Sequence, residues 1–304
     1  MATVNEQLLV LISTPIYIII IGIEILLTHL QHKRAYTIKN TLANIYLMLL
    51  NGGLDLVFRV LVSVAVLQFF YTHSIIHLSQ GFLYWFVLLI AEDFIYYWLH
   101  RFDHEIRFFW ATHITHHSSQ LMNFTVGFRS SVFQPVYRFI YFIPLAWMGY
   151  PPIDIAFVYA ATQIWGIFVH TELINKMGWL EYIFVTPSHH RVHHGSNIKY
   201  LDKNMGMFLI IWDKLFGTFQ KELSKEEYEP ISYGLTKNIE NPNPINIVFS
   251  EWNEIKQDIT KKNLSFKQRL LYLFGPPGYS HDGSRKTSKE LLQQEFGLHN
   301  KTLD

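Results

Sequence analysis

The chain has 304 residues, of which half are hydrophobic, only 16% are charged and none is cysteine. Soluble globular proteins carry about a quarter charged residues, so this composition favours a membrane protein. The net charge of +1 argues against a broad nucleic-acid-binding surface. Without cysteine, disulfides, thiolate metal sites and cysteine-ligated iron–sulfur clusters are excluded within this chain.

Residues 1–81 are predicted to form an N-terminal transmembrane region. The first apolar span runs from about residue 8 to residue 27. It lacks a basic segment before it and a small-residue cleavage site, so we expect a retained anchor. A second apolar stretch covers about residues 41–71, with a bend expected at the sequence NGG, Asn51–Gly53. The next span, FLYWFVLLIAEDFIYYWLH, ends at His100.

Basic residues predict how these spans are oriented. The segment Lys33–Lys39 is basic, residues 71–81 hold no lysine or arginine, and Arg101 and Arg107 follow the next span. The positive-inside rule then places both basic segments in the cytosol. The apolar region 132–169, broken by two prolines, is either a re-entrant hairpin or two tilted spans. In both cases the chain returns to the cytosolic side.

Ten of the sixteen histidines lie between His100 and His194, in clusters with helical spacing. The spacings are i, i+4 in the first cluster and i, i+3, i+4 in the other two: His100, His104; His113, His116, His117; His190, His193, His194. If the clusters converge, they assemble eight imidazoles. One ion takes about four to six ligands, so eight imply two ions. His170, at the end of an apolar segment, is well placed to be a ninth ligand.

Each cluster also has a less specific interpretation. An isolated histidine pair is more often a surface feature than a metal site, but three clusters on one predicted membrane face favour a dimetal site. All-imidazole ligation suits iron, copper or zinc. Zinc hydrolases need only three protein ligands and a water. A pair of redox-active ions that reacts with dioxygen is better served by many protein ligands on each ion. We therefore predict two iron ions, with zinc able to replace them in vitro.

Several residues are candidates to support the ligands. Asp93 and Tyr97 each precede a cluster histidine by seven positions, so on a helix they share its face. A carboxylate at this position either orients a ligating imidazole or pairs with a polar group of a neighbouring helix. Glu92 and Glu105 are weaker candidates. For Glu105 the alternative is a side chain that faces solvent. His189 points about 100° away from its neighbouring ligand on a helix.

Two arginines, Arg129 and Arg191, are candidates to neutralise a lipid head group or phosphate, with solvated or interfacial positions as the alternative. The remaining histidines lack the metal-binding spacing: His29, His32, His73, His77, His281 and His299.

The sequences HRFDH, HITHH and HRVHH resemble the three histidine boxes of the fatty acid hydroxylase superfamily, also called the sterol desaturase family. The resemblance covers about Phe82–Phe219. Within it, HTELI, TPSHHRVHHGSN and LDKNMGMFLIIWDKLFGTF resemble the alkylglycerol monooxygenase branch and its bacterial relatives. It implies an integral membrane di-iron enzyme that uses dioxygen to hydroxylate or desaturate lipid chains. The implied ligands are His100, His104, His113, His116, His117, His170, His190, His193 and His194, with Asp93 and Glu105 as supporting catalytic residues.

The resemblance also implies the partners. The substrate is a membrane lipid, and electrons come from a separate donor: a cytochrome b5-like protein, a ferredoxin or, as in the alkylglycerol branch, reduced tetrahydrobiopterin. Relatives often carry an acid where this chain has Gln120, so a pterin contact assigned to that acid does not carry over.

These observations predict an all-α polytopic membrane bundle with about four to five apolar spans or re-entrant segments and a cytosolic, histidine-rich dimetal cap. Residues 82–219 form the catalytic region and residues 220–304 a cytosolic C-terminal tail. The expected function is oxidation of a lipid C–H bond in a bacterial inner membrane or the endoplasmic reticulum. The alternatives are pterin-dependent cleavage of alkylglycerol ethers and, in a different class, metal transport or sensing. A transporter is expected to hold ligands at the bilayer midplane, away from helix ends.

Overall fold

The computed structural model describes residues 2–76 and 78–297, and within these ranges the chain is helical without any strand. The all-α prediction is therefore confirmed. His77 and His299 lie outside the described residues.

Twelve α-helices follow one another within the described ranges. They are α1 (Ala2–Leu30), α2 (Ile38–Phe58), α3 (Val64–Thr72), α4 (Phe82–Glu105), α5 (Arg107–His117), α6 (Pro135–Trp147), α7 (Pro152–Phe168), α8 (Pro187–His193), α9 (Ile211–Phe216), α10 (Pro244–Ile259), α11 (Phe266–Phe274) and α12 (Ser288–Phe296). Short 3₁₀ turns occupy Phe124–Phe128, Gly178–Tyr182 and Ile198–Tyr200, and a π-helical turn, Arg59–Ser63, joins α2 to α3.

Three segments are long and apolar enough to cross a membrane: Leu11–Leu30, Ile38–Thr72 and Phe82–Glu105. Large apolar side chains on the first two face outward, with Leu11 71% and Leu61 70% exposed. Such surface is stable only against lipid or another apolar partner. The bend expected at Asn51–Gly53 is not observed, because α2 continues through it. The departure from α-helical geometry comes later, in the π turn at Arg59–Ser63.

Helices α6 and α7 form an antiparallel pair that follows α4 along most of its length. At one end Gln134, just before α6, donates to Asp103 of α4, and at the other end Tyr84 of α4 donates to Asp154 of α7. Nineteen helical residues separate the two α4 positions, about 28 Å, close to the thickness of the hydrocarbon layer. Helices α6 and α7 are themselves shorter, since their 13 and 17 residues extend about 20 and 26 Å.

The turn between α6 and α7 depends on a glycine. Gly149 has φ 99°, and a Cβ there would lie 2.3 Å from the carbonyl oxygen of Ile76. Leu88, Leu145 and Ile155 form part of the hydrophobic core behind this turn. This core joins α4 to the α6–α7 pair.

The charged C-terminal segment packs onto the histidine-bearing region. Helices α10 and α11 contact α5, and α12 contacts the 3₁₀ turn Ile198–Tyr200. Arg107, at the start of α5, donates to Glu251 and Asp258 of α10 at 2.6 and 2.7 Å. Residues 220–297 therefore form a wall beside the histidines.

Candidate metal centre

Local chain geometry brings the three histidine clusters to one end of α4. Its last two turns carry His100 and His104, and the extended backbone at Ile106 (φ −117°, ψ 117°) lets α5 turn back beside it. Helix α8 begins with a proline and a capping box in which the Thr186 and His189 side chains bond each other's backbone N–H. His189 is thus occupied with capping and does not join the metal-binding groups.

The nine predicted ligands fall into two groups. In each, the candidate ligand atoms lie within 4.8 Å of one another. The first group is His100, His104, His113, His117 and His193, and the second is His116, His170, His190 and His194. The ring centroids of His117 and His194, from different groups, are only 4.4 Å apart, so the two groups adjoin.

Backbone carbonyls make hydrogen bonds with the outer nitrogen, Nδ1, of several rings. The Nδ1 atom of His100 lies 2.7 Å from the Met205 carbonyl oxygen, and equivalent contacts hold His116, His170 and His193 at 2.7 to 3.0 Å. A carbonyl oxygen only accepts, so Nδ1 carries the proton and Nε2 presents a lone pair. Helical spacing alone did not indicate these carbonyls: the Met205 carbonyl is 105 positions from His100, those of Arg129 and Lys203 belong to loops, and that of Gly166, in α7, is one turn before His170.

Where both rings are held in this tautomer, the inward Nε2 atoms approach one another without a proton between them. Those of His116 and His170, both unprotonated by this argument, are 3.4 Å apart, and those of His170 and His190 are 2.9 Å apart. The Nε2 atoms of His104 and His193 are buried without any hydrogen-bond partner. Metal–nitrogen bonds of about 2.0–2.1 Å at angles of 90–110° place neighbouring nitrogens about 2.8–3.4 Å apart. The nitrogens are therefore spaced as ligands of a common cation.

Burial favours the uncharged form of the imidazoles beyond α4. It lowers the pKa of His116 to about 4, and the charges of His104 and Arg129 add a further lowering. For the other histidines beyond α4, burial is again the main cause and drives the pKa well below 6.5: His113, His117, His170, His190, His193 and His194. Neutral rings are the form that binds metal.

The two predicted supporting acids do not contact the cluster directly. Asp93 is fully buried, but its carboxylate accepts from the amides of Phe208 and Leu209 and from the indole of Trp212. It fixes the loop whose Met205 carbonyl holds His100, so its effect is indirect. Glu105 is 43% exposed and pairs with Arg101 one helical turn away. The alternative in which Glu105 faces solvent is the one the structure shows.

Two acids not predicted from the sequence lie closer to the rings. Asp103 is fully buried with a carboxylate oxygen 3.7 Å from His113 Nδ1, and it accepts from Gln134 and Tyr137. An oxygen of Asp202 lies 3.3 Å from His104 Nδ1. Asp103 had a sequence signal, since it stands inside HRFDH, whereas Asp202 had none.

The two arginine candidates prove to be internal. Arg129, only 2% exposed, donates to the Thr115 carbonyl and to Asn40, and burial lowers its pKa to about 10. Arg191 binds Glu222 and the carbonyls of Thr171 and Ile174. Both side chains are buried, so the solvated position given as their alternative is not observed.

Two cavities reach the histidines from different sides. One, of about 350 Å³, is bordered by histidines of both groups and by α2, α4, α6 and α7. The other, of about 590 Å³, is bordered by His104, His117, His193 and His194 together with the C-terminal segment. Gln120 lies at the margin of the second cavity, its Cγ 3.2 Å from where a Cβ on Gly234 would sit.

Comparison with known proteins agrees with this geometry. Residues 85–218 match the sequence profile of the fatty acid hydroxylase family. The chain is 45% identical to alkylglycerol monooxygenase from Homo sapiens over 139 residues, 46% of this chain and 30% of that protein. It is 36% identical to the Xenopus tropicalis protein of that name over 191 residues, 62% of this chain and 40% of the relative. Ornithine lipid hydroxylase OlsE from Rhizobium tropici is 38% identical over 77 residues, 25% of this chain and 23% of that protein.

The histidine-bearing region of this chain, residues 85–218, thus belongs to the fatty acid hydroxylase superfamily. Together with the apolar helices, this membership identifies an integral membrane protein. The alignments cover less than half the length of these curated relatives. No solved structure is significantly similar to the chain.

Proposed function

We propose that this protein is a membrane-bound di-iron oxygenase that oxidises a C–H bond of a lipid with dioxygen. The observation that carries the proposal is the pair of adjoining imidazole groups, whose ligand atoms converge within 4.8 Å of one another in each group, with the buried Nε2 atoms of His104 and His193 lacking any hydrogen-bond partner. Iron accepts such all-imidazole ligation. When bound, a redox-active iron pair would supply the dioxygen activation that an unactivated C–H bond requires.

The chain's own residues hold and shield this centre. Carbonyls of Met205, Arg129, Gly166 and Lys203 fix the tautomer and orientation of the rings behind them. Burial favours the neutral form of the rings beyond α4. The chemistry needs no protein nucleophile or protein acid at the substrate carbon.

A more specific candidate is oxidation beside the oxygen of an alkylglycerol ether, which would cleave the ether. It is favoured by the identity to proteins named alkylglycerol monooxygenase. The test is turnover of 1-O-hexadecylglycerol by purified protein with reduced tetrahydrobiopterin. Turnover of other lipids only with a ferredoxin or a cytochrome b5-like donor would favour the general lipid hydroxylase or desaturase instead.

We further propose that the histidine face lies in the cytosol and that the reductant approaches through the 590 Å³ cavity. The basic segment Lys33–Lys39 and Arg101 and Arg107, on the same side as the histidines, support this orientation. Both a bacterial inner membrane and the endoplasmic reticulum are compatible with it.

The experiment is lipid profiling of cells with and without the protein, under oxygen. Wild type should produce an oxidised or cleaved lipid, whereas His116→Ala and His193→Ala, one from each group, should lose metal and product while still inserting. Normal metal content with normal activity in both variants would refute the ligand assignment. Oxygen-independent metal flux in proteoliposomes would favour the transporter alternative.

A further inference from the structure

The 350 Å³ cavity beside the histidines contains charged residues at a depth where lipid would surround the protein. One wall is formed by Met48, Asn51, Gly52 and Asp55 of α2 and by Arg59 at the start of the π turn, which lie on one helical face. Eleven residues of helix span about 16 Å. These residues lie in the middle of the 35-residue apolar segment Ile38–Thr72. Ionisable side chains in such a segment are costly and mark binding or transport sites.

The charged residues form a connected cluster at the end of this wall. Asp55 accepts from Arg59 at 2.6 Å and also from Arg138 of α6. Arg138 donates to the Tyr159 hydroxyl of α7 at 2.8 Å. Asp55, Arg138 and Tyr159 all border the cavity. The cluster therefore links three helices and also faces open space next to the histidines.

The donor and acceptor inventory identifies what this space can hold. A guanidinium carries five N–H donors, and the bonds from Arg138 to Asp55 and Tyr159 use two of them. The Asp55 carboxylate offers about four acceptor positions. A wall with both donors and acceptors fits hydroxyl groups, which donate and accept. The Asp55 carboxylate already pairs with the guanidiniums of Arg59 and Arg138, so an anion would have to displace it or lie beside it. A bare alkyl chain would desolvate charged groups without replacing their hydrogen bonds.

We propose that this cavity binds the hydroxyl-bearing, uncharged end of the lipid, with Arg138 as the residue that determines head-group specificity. The inference rests on the proposed lipid oxygenase and specifies its substrate class. Head-group hydroxyls bind Arg138 and Asp55, and the adjoining carbon chain lies beside the histidines of both groups.

The test measures binding without turnover. Protein in nanodiscs, loaded with iron and kept anaerobic, is titrated with 1-O-hexadecylglycerol and with 1-methoxyhexadecane, which keeps the chain and ether oxygen but lacks the glycerol hydroxyls. Wild type should bind the glycerol ether at least about tenfold more tightly, the effect of one or two hydrogen bonds to a charged group. Arg138→Gln should abolish this preference by weakening only the glycerol ether, with metal content unchanged. Asp55 keeps Arg59 as its partner in this variant.

The matched control is Arg269→Gln, an arginine of α11 that borders neither cavity and binds the carbonyls of Ile259 and Lys261. It should keep the wild-type preference. If Arg138→Gln does not fold, Arg138→Lys retains the charge and should show a reduced preference. Equal binding of the two ligands by wild type, or equal weakening of both in the Arg138 variants, would overturn the inference. Selective binding without aerobic turnover would instead refute only the proposed oxygenase.

Discussion

Replacing Arg107 tests whether the C-terminal segment is a structural part of the metal-bearing region. The Arg107 side chain is 1% exposed and bonds Glu251, Asp258 and the carbonyl of Tyr272. Arg107→Met keeps most of the buried volume but removes the guanidinium. Asp258 retains Arg285 and Lys261 as partners, whereas Glu251, with a side chain only 14% exposed, loses its closest one.

The expected loss of stability comes from the Glu251 carboxylate, which stays mostly buried without its closest partner. Breaking a buried ion pair by removing one partner typically costs about 3–5 kcal/mol, so we expect the free energy of unfolding to fall by about that amount. The measurement is chemical unfolding in detergent micelles, with limited proteolysis of residues 234–297 as a local readout. Proteolysis should accelerate because α10 and α11 lose their contact with the start of α5.

Two further variants make the result interpretable. Arg101→Met removes a partly exposed pair with Glu105 and should cost about 1 kcal/mol or less. Adding Glu251→Gln to Arg107→Met removes the stranded charge and should recover about 1–2 kcal/mol. Equal stability of the Arg107 and Arg101 variants, with unchanged proteolysis, would refute the account of the C-terminal segment as an ion-paired wall.

Three further variants test the surroundings of the metal centre. Asp93→Ala leaves three N–H donors without their acceptor, one buried and two partly buried. It should lower the free energy of unfolding by about 3 kcal/mol, measured by chemical unfolding, and an unchanged value would argue against its loop-fixing role. Gly166→Ala places a Cβ 2.3 Å from Met207 Sδ and should lower the free energy of unfolding by about 1–3 kcal/mol. Gly22→Ala is the control, because open space surrounds that position, and it should not destabilise the protein. Equal thermal melting of the two variants would contradict this prediction. His117→Ala should reduce total iron by more than one ion per chain, measured by elemental analysis, because its ring packs on His194 of the other group; loss of one ion only would show independent sites.

The sequence predicted which histidines converge but not how they divide. Helical spacing within each cluster is local information, so nine ligands could be named, and all nine lie in the two groups. The division depends on the relative rotation of α5 and α8, which no local pattern specifies. The same limit applies to Asp93, whose partners lie 115 to 119 positions away. Its helical face was predicted correctly, but the loop that occupies that face was not predictable from spacing.

Local sequence did not predict the course of α2 or the packing of the C-terminal segment. The sequence NGG predicts a bend, but a helix surrounded by apolar surface has few alternatives to internal hydrogen bonding, and α2 continues through it. The C-terminal segment is charged, which is typical of a solvated tail. Its charges instead complement Arg107, a residue 144 positions from Glu251, and such pairing is invisible without the tertiary structure.

The division of the histidines explains why each of the last two boxes has three members. On a helix, positions i and i+4 lie about 40° apart and position i+3 about 60° to the other side. In HITHH the i, i+4 pair His113 and His117 joins the first group and the i+3 residue, His116, joins the second. In HRVHH the assignment is reversed, since the i, i+4 pair joins the second group and His193 joins the first. Each helix therefore contributes to both groups, and the two helices face each other across the centre with exchanged roles. Because neither group is complete without both helices, the spacing of the two groups is fixed by helix packing, and a shift of α8 against α5 would disrupt both at once.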